Sequence, residues 1–363
     1  MILRSTLIAL MVLSAGAWAG EGDGADAPGT PRAPGAPAHL ARPAPPPVAP
    51  VAEDEDGTVG PESTDTTLAV PARGRLELDG FSGAIHVSGW DRDAMRIQAE
   101  HRPGTSVSWE VGPATVVLRS IRLLRIPEMT PRRRVRVQRI PFPTDVDYRL
   151  TVPRGMSLRL SGVNTDISVL GVEGDVSAEA VTGAVVVRGG RGSIRASSVN
   201  GDVEVSGARG SVEAGSMSAR VTLRDVQGRV RVESVSGDVN LERIASDAVE
   251  ATTVSGQLNF SGVLRPGGTY HLESHSGDVT VSLTERPDVA VSVNTYSGEF
   301  ASSFPVQSTS SSTSVRGRGK EFDFTLGDGR AELSLESFSG LIRLVRAGQP
   351  AGSAPVILIR RHR

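Results

Sequence analysis

Between Ile167 and Ile244, apolar or small side chains recur at positions 0, +2 and +5 of a nine-residue step. The triplets run from Ile167, Val169, Val172 and Val176, Ala178, Val181 through Val230, Val232, Val235 to Val239, Leu241, Ile244. A spacing of two is the period of a strand that shows one face to a core, and the wider gaps that follow demand a bend. Each step therefore predicts a short strand plus a corner, with the +5 side chain turned inward. Glycine marks the wider gap at Gly174, Gly183, Gly192, Gly201, Gly210, Gly228 and Gly237, which predicts turns with positive φ.

Successive turns differ. One set contains Asn200-Gly201-Asp202 and Ser236-Gly237-Asp238, the other Arg191-Gly192-Ser193 and Arg209-Gly210-Ser211, so the true repeat is 18 residues in two halves. A period this short, valine-rich with glycine corners, predicts an all-β, single-domain parallel β-solenoid in which each coil stacks on the one before. A lone coil buries too little apolar surface to offset the ordering of its own backbone, so the stack is the folding unit. Past Ile244 the step lengthens: Gly256, Gly277, Gly298, Gly319 and Gly340 stand 21 residues apart, giving coils of 18 to 21 residues. Aromatic residues enter the corner column at Phe81, Tyr296 and Phe338, where they are expected to plug the wider ends of the core.

The flanks read differently. Residues 1–19 carry Arg4, an apolar run over Leu7–Leu13 and Ala17-Trp18-Ala19, the pattern of a cleavable secretory signal. Residues 20–66 are rich in proline, alanine and glycine and read as a disordered tether. Residues 67–160 alternate in strand fashion without the nine-residue step and are expected to form an irregular N-terminal cap. The repeats fill 161–346, and 347–363 is a tail with no apolar anchor, so the mature chain is expected to have no transmembrane segment. There is no cysteine, and the net charge of -2 carries no basic balance that would favour nucleic acid.

Four motifs bear on chemistry. Gly189-Gly190-Arg191-Gly192-Ser193-Ile194 resembles a calcium β-roll turn but holds Ile194 where aspartate is needed. His271-Leu272-Glu273-Ser274-His275 has metal-ligand residue types, yet the repeat phase points Leu272 inward and puts His275 in the corner column, so a packed histidine is expected and no metal or cofactor. In the turn column Asp166, Ala184, Asp202, Arg220, Asp238, Gln257, Asp278, like charges are kept apart over the regular coils. Its alternative reading is a catalytic carboxylate pair, Asp202 and Asp238, about 9.6 Å apart with Arg220 between them, as in a polysaccharide hydrolase or lyase. Finally, Arg132, Arg133, Arg134 and Arg136 belong to a strongly basic segment suited to anionic envelope polymer or lipid headgroups, or to blunting a sheet edge.

Phe81-Ser82-Gly83-Ala84-Ile85-His86-Val87-Ser88-Gly89-Trp90-Asp91, Leu150-Thr151-Val152-Pro153 and the repeated Val-Ser-Gly-Asp-Val turns resemble the bacterial envelope proteins with β-strand repeats labelled putative adhesins. The resemblance covers about 67–346 and implies an exported β-solenoid without established catalytic residues. Together these readings predict a non-enzymatic, adhesin-like scaffold in the periplasm or at the cell surface. Its expected partners are anionic envelope polymer, lipid headgroups or another envelope protein, and its alternative is a β-helical carbohydrate-active enzyme.

Overall fold

The computed structural model describes residues 62–127, 135–141, 144–283, 287–305, 320–347 and 357–358. All regular structure among them is β. At the N-terminal end lie β1 (Glu62–Ala69), β2 (Arg75–Trp90), β3 (Ala94–His101), β4 (Thr105–Val111), β5 (Thr115–Pro127), β6 (Val135–Pro141), β7 (Val146–Pro153) and β8 (Ser157–Leu170). Short strands follow, two to a coil: β9 (Val176–Ala180) then β10 (Val185–Arg188), β11 (Ile194–Ser198) then β12 (Val203–Ser206), and β13 (Val212–Ser216) then β14 (Val221–Arg224). Next come β15 (Val230–Ser234) with β16 (Val239–Ile244), β17 (Ala248–Thr253) with β18 (Leu258–Gly262), β19 (Thr269–Ser274) with β20 (Val279–Leu283), and β21 (Val289–Thr295) with β22 (Glu299–Ser302). The chain ends in β23 (Lys320–Leu326), β24 (Ala331–Ser337), β25 (Leu341–Arg346) and β26 (Ile357–Leu358).

The two half-coils build two parallel arrays. One contains β2, β8, β10, β12, β14, β16, β18, β20, β25 and β22 in that spatial order. The other contains β2, β8, β9, β11, β13, β15, β17, β19, β24 and β21. The 18-residue repeat is the pairing register itself: Val185 faces Val203, Val203 faces Val221, and Val212 faces Val230. Inward side chains at positions 0 and +2, such as Val203, Val205, Val221 and Leu223, are buried, while their strand neighbours alternate outward, so valine stacks on valine along the core. The fold is the parallel β-solenoid that the repeat predicts. At its N-terminal end β2 pairs with β5 and β7, and antiparallel β1, β3, β4 and β6 extend that end around Met95, Ile97, Tyr148 and Leu150.

Three sequence expectations change. First, at the corner after each second-array strand the inward residue is +4, not +5. Ala180, Ser198, Ser216, Ser234 and Thr253 are buried, whereas Val181 and Met217 are exposed and Val199 and Val235 half-buried. At the other corner Val172, Ala208, Val226 and Ile244 do turn inward. In four of these five coils a hydroxyl fixes the turn, and Ala180 takes the same place without one. Ser198, Ser216, Ser234 and Thr253 accept hydrogen bonds from the main-chain N–H three residues on, at Gly201 (2.9 Å), Ala219 (3.1 Å), Gly237 (3.1 Å) and Gly256 (3.2 Å). A buried hydroxyl is stable when it bonds in this way, and it carries the strand one residue past the predicted bend. Tyr296 and Phe338 follow Thr295 and Ser337, which bond the N–H of Gly298 and Gly340 in the same way, and with Phe81 they are exposed and do not plug the core.

Second, only Gly228 among the seven turn glycines has positive φ, at 143°. A Cβ on Gly183, Gly201 or Gly237 would stand 2.1, 1.9 or 1.8 Å from a carbonyl oxygen of the neighbouring coil, so close approach selects glycine at these three positions, while Ala219 fills the equivalent place on the coil between Gly201 and Gly237. Left-handed backbone occurs instead at Gly171, Gly189 and Gly207, and one coil further on at Asp225 (φ 54°) and then Arg243 (φ 52°).

Third, the last coils do not stack in chain order. β19 pairs with β24 rather than β21, and β20 with β25 rather than β22. The chain lays β21 and β22 one level further out, returns through antiparallel β23 on the far edge of β21, and inserts β24 and β25 into the remaining level. The 21-residue step preserves the phase of every level, so the sequence is compatible with either order.

Candidate binding surface

The corner that follows the second-array strands repeats one short motif, a buried Ser or Thr, an outward side chain, a small polar residue and then Gly, as in Ser234-Val235-Ser236-Gly237, with Ala180 and Ala219 as departures from it. Main-chain bonds continue from coil to coil straight through this outward position. Thr182 N–H donates to Val163 O, Asn200 to Val181, Ser218 to Val199, Ser236 to Met217 and Ser255 to Val235. Ser276 then donates to Val254, Ser339 to His275 and Ser297 to Phe338. The outward side chains therefore form one row: Phe81, Val163, Val181, Val199, Met217, Val235, Val254, His275, Phe338 and Tyr296. At one side chain per coil the row is about 43 Å long. Ten large apolar side chains are exposed among the described residues, and seven of them stand on this row, which rules out random scatter.

The row ends in rings. His275 stacks on Phe338 with centroids 4.8 Å apart, and Phe338 on Tyr296 at 4.7 Å, with planes within 12° and 5°. Beside them runs an open groove of about 300 Å³ lined by Glu273, Ser274, His275, Asn294, Tyr296, Glu336, Ser337 and Phe338. The groove exists because β24 is inserted: Glu336 faces Glu273 on one side and Asn294 on the other.

Carboxylates border the row. Two residues before it, the outward column holds Asp79, Glu179, Glu233, Glu273 and Glu336; three residues after it, the turn column holds Asp166, Asp202, Asp238, Asp278 and Glu299. Arg220 is the one cation in those columns among the described residues, while Arg231 and Arg343 reach across to Glu233 (3.0 Å) and Asp278 (3.1 Å). The sequence reading of Asp202, Arg220 and Asp238 as one column on successive coils matches their placement. Their chemistry there is structural. One oxygen of Asp202 accepts the Arg220 main-chain N–H at 3.0 Å, and one of Asp238 accepts that of Gln257 at 3.0 Å. Asp166 and Asp278 do the same for Ala184 (2.8 Å) and Leu341 (3.0 Å), so each carboxylate ties one coil to the next.

At the opposite corner the left-handed pair is joined by two charge-assisted bonds, Arg243 to Asp225 at 2.6 and 2.7 Å. The hydrogen bond from Arg243 holds the Asp225 carboxyl below its ordinary value and raises the guanidinium. His271 lies 3.7 Å from Glu273, and His275 is stacked rather than paired with it as a ligand. Among the described residues no three His, Asp or Glu side chains are grouped to hold a metal ion. Arg136 lies on β6 opposite Ile126, and Arg132, Arg133 and Arg134 fall outside the described residues, as do the signal and most of the tether.

Comparison with protein families matches the Toastrack DUF4097 model to residues 135–342, more than half of the chain. The chain belongs to the Toastrack DUF4097 family. No curated protein matches it. Among solved structures, this Toastrack chain is similar to a putative adhesin from Bacteroides fragilis (11% identity, 78% of this chain and 97% of that one, TM-score 0.38). It is also similar to a putative lipid binding protein from Parabacteroides distasonis (9%, 79% and 98%, TM-score 0.38) and a putative cell adhesion protein from Clostridium sporogenes (11%, 79% and 99%, TM-score 0.19). At these identities and TM-scores none of them bears on what this chain binds. No helix among the described residues is long and apolar enough to cross a membrane.

Proposed function

We propose that this Toastrack chain is an exported, non-enzymatic β-solenoid that presents a repetitive surface for binding or scaffolding at the cell envelope, in the periplasm or on the cell surface. The observation that carries the reading is the exposed apolar row. Contiguous exposed apolar surface of this kind is uncommon on soluble proteins and marks interaction sites. The signal-like residues 1–19 support export. The basic segment with Arg132, Arg133, Arg134 and Arg136 provides a separate contact for anionic envelope polymer or lipid headgroups, because the carboxylates beside the row repel such ligands. A carbohydrate-active enzyme built on Asp202 and Asp238 is the less favoured reading, since one oxygen of each is committed to the main chain of the next coil.

The deciding experiment measures retention of the purified protein on isolated envelopes alongside release of reducing ends from acidic and neutral polysaccharides. Replacing Val181, Met217 and Val254 with serine should reduce retention about tenfold with an unchanged melting temperature, because all three side chains are exposed. Asp202→Ala and Asp238→Ala should leave retention intact. Sugar release that disappears in either aspartate variant, or retention indifferent to the row, would overturn the scaffold reading.

A further inference from the structure

The row has a geometry that selects among partners. Its main-chain N–H and C=O groups at the corner are already bonded coil to coil, so a partner cannot add a strand there and must be recognised by side chains. Along the axis the apolar side chains repeat every 4.8 Å or so, whereas same-face side chains of an extended strand repeat at about 6.6–6.8 Å. A helix lying along the axis offers one apolar position per turn of about 5.4 Å, the nearer match over four or five coils. The carboxylate columns on either side then require basic residues flanking that apolar stripe.

Glu336 strengthens the charge argument. In the column that holds Glu336, uncharged residues otherwise keep the carboxylates apart: Glu179, Ser197, Gly215, Glu233, Thr252 and Glu273 follow one another on successive coils. Insertion of β24 removes that spacing by placing Glu336 directly beside Glu273, next to the exposed rings. A cation from outside would relieve that pair.

Resting on the reading of this corner as a binding surface, we propose that its occupant is an amphipathic helix of a partner protein, with an apolar stripe seated on the row and lysine or arginine side chains over the two carboxylate columns. A second copy of this chain is disfavoured, because joining two such rows would set acid against acid. Anionic lipid is disfavoured for the same reason.

The test uses the full chain and three synthetic peptides of about 18 residues: a leucine/lysine amphipathic helix, its leucine/glutamate counterpart, and a leucine/lysine peptide of the same composition with the stripe scrambled. Fluorescence anisotropy should show the leucine/lysine helix binding about tenfold or more tighter than either control, and more weakly as salt is raised. Val254→Ser with Phe338→Ser, and separately Glu273→Gln with Glu336→Gln, should each weaken it about tenfold. These side chains are at the surface, so melting curves should be unchanged. Equal or tighter binding of the leucine/glutamate helix would overturn the partner class while leaving the binding surface in place. Affinity for the leucine/lysine helix that ignores Val254 and Phe338, or that is matched by the scrambled peptide, would overturn the docking geometry. No binding of any helix, with row-dependent retention on phosphatidylcholine or phosphatidylglycerol vesicles, would replace the helix by a membrane. If the row also proved irrelevant to envelope retention, the binding-surface reading itself would fall.

Discussion

At the residue scale, glycine does two unlike jobs in this molecule, and substitution separates them. Gly207 is left-handed (φ 68°) with no heavy atom closer than 3.8 Å to an added Cβ, so Gly207→Ala meets only the conformational penalty, a net cost of roughly 1 kcal/mol after the gain from a stiffer unfolded chain. Gly237 has no such φ, but its added Cβ would lie 1.8 Å from Ala219 O, main chain that cannot swing aside. Gly237→Ala must push two coils apart, at a cost of about 3 kcal/mol or more. Chemical denaturation of the two variants checks this: an equal or smaller loss for Gly237→Ala would mean the close approach is not what selects glycine. The repeat marks Gly237 as a turn position without giving the reason for it, and it does not mark Gly207 at all. A gap in apolar spacing marks a turn, whereas the distance to a carbonyl one coil away appears only after stacking.

At the scale of the element, most second-array strands close on a buried hydroxyl. Ser234 accepts from the Gly237 N–H and donates to Gly237 O at 2.8 Å, while Val235 beside it is half-buried on the outer face. Ser234→Ala should therefore cost about 1–3 kcal/mol by leaving a buried N–H unpaired, and Val235→Ser about 1 kcal/mol or less. The nine-residue pattern alone ranks them the other way, with Val235 in the core and serine in the turn. Thermal unfolding of both variants decides the order; a larger loss at Val235 would restore the +5 assignment. The error has a physical source. Two apolar residues two apart define a strand face, but whether the strand continues beyond them depends on a hydrogen bond between a serine and a glycine N–H that hydropathy does not register.

For the whole molecule, the inserted level makes the C-terminal end a lock. β21 is held by β24 and β23, and among the described strands it has no pairing with β19. Cutting the chain after Leu326 removes β24 and β25, which should release β21, β22 and β23 together while the coils up to β20 stay folded. Limited proteolysis of that truncation, read by mass spectrometry, should give a resistant fragment ending near Leu283. A fragment that retains residues 289–302 would show that these strands dock without the inserted pair. The same insertion sets Glu336 against Glu273 and closes the ring stack, so the groove at the end of the row depends on pairing across 63 residues.

The sequence by itself determined the class, the coil period, the two arrays and the alternation of turn charges. In a solenoid, contacts along the axis are contacts between repeats, and a fixed period writes those neighbours directly into the chain. Tertiary structure alone decided which corner faces outward, how closely the turn glycines approach the next coil, and the order of the last coils. Each depends on groups brought together across coils: a hydroxyl inside a turn, a carbonyl beneath a glycine, a late strand slipped between two earlier ones. A repeat records phase, and phase is unchanged when two levels exchange places.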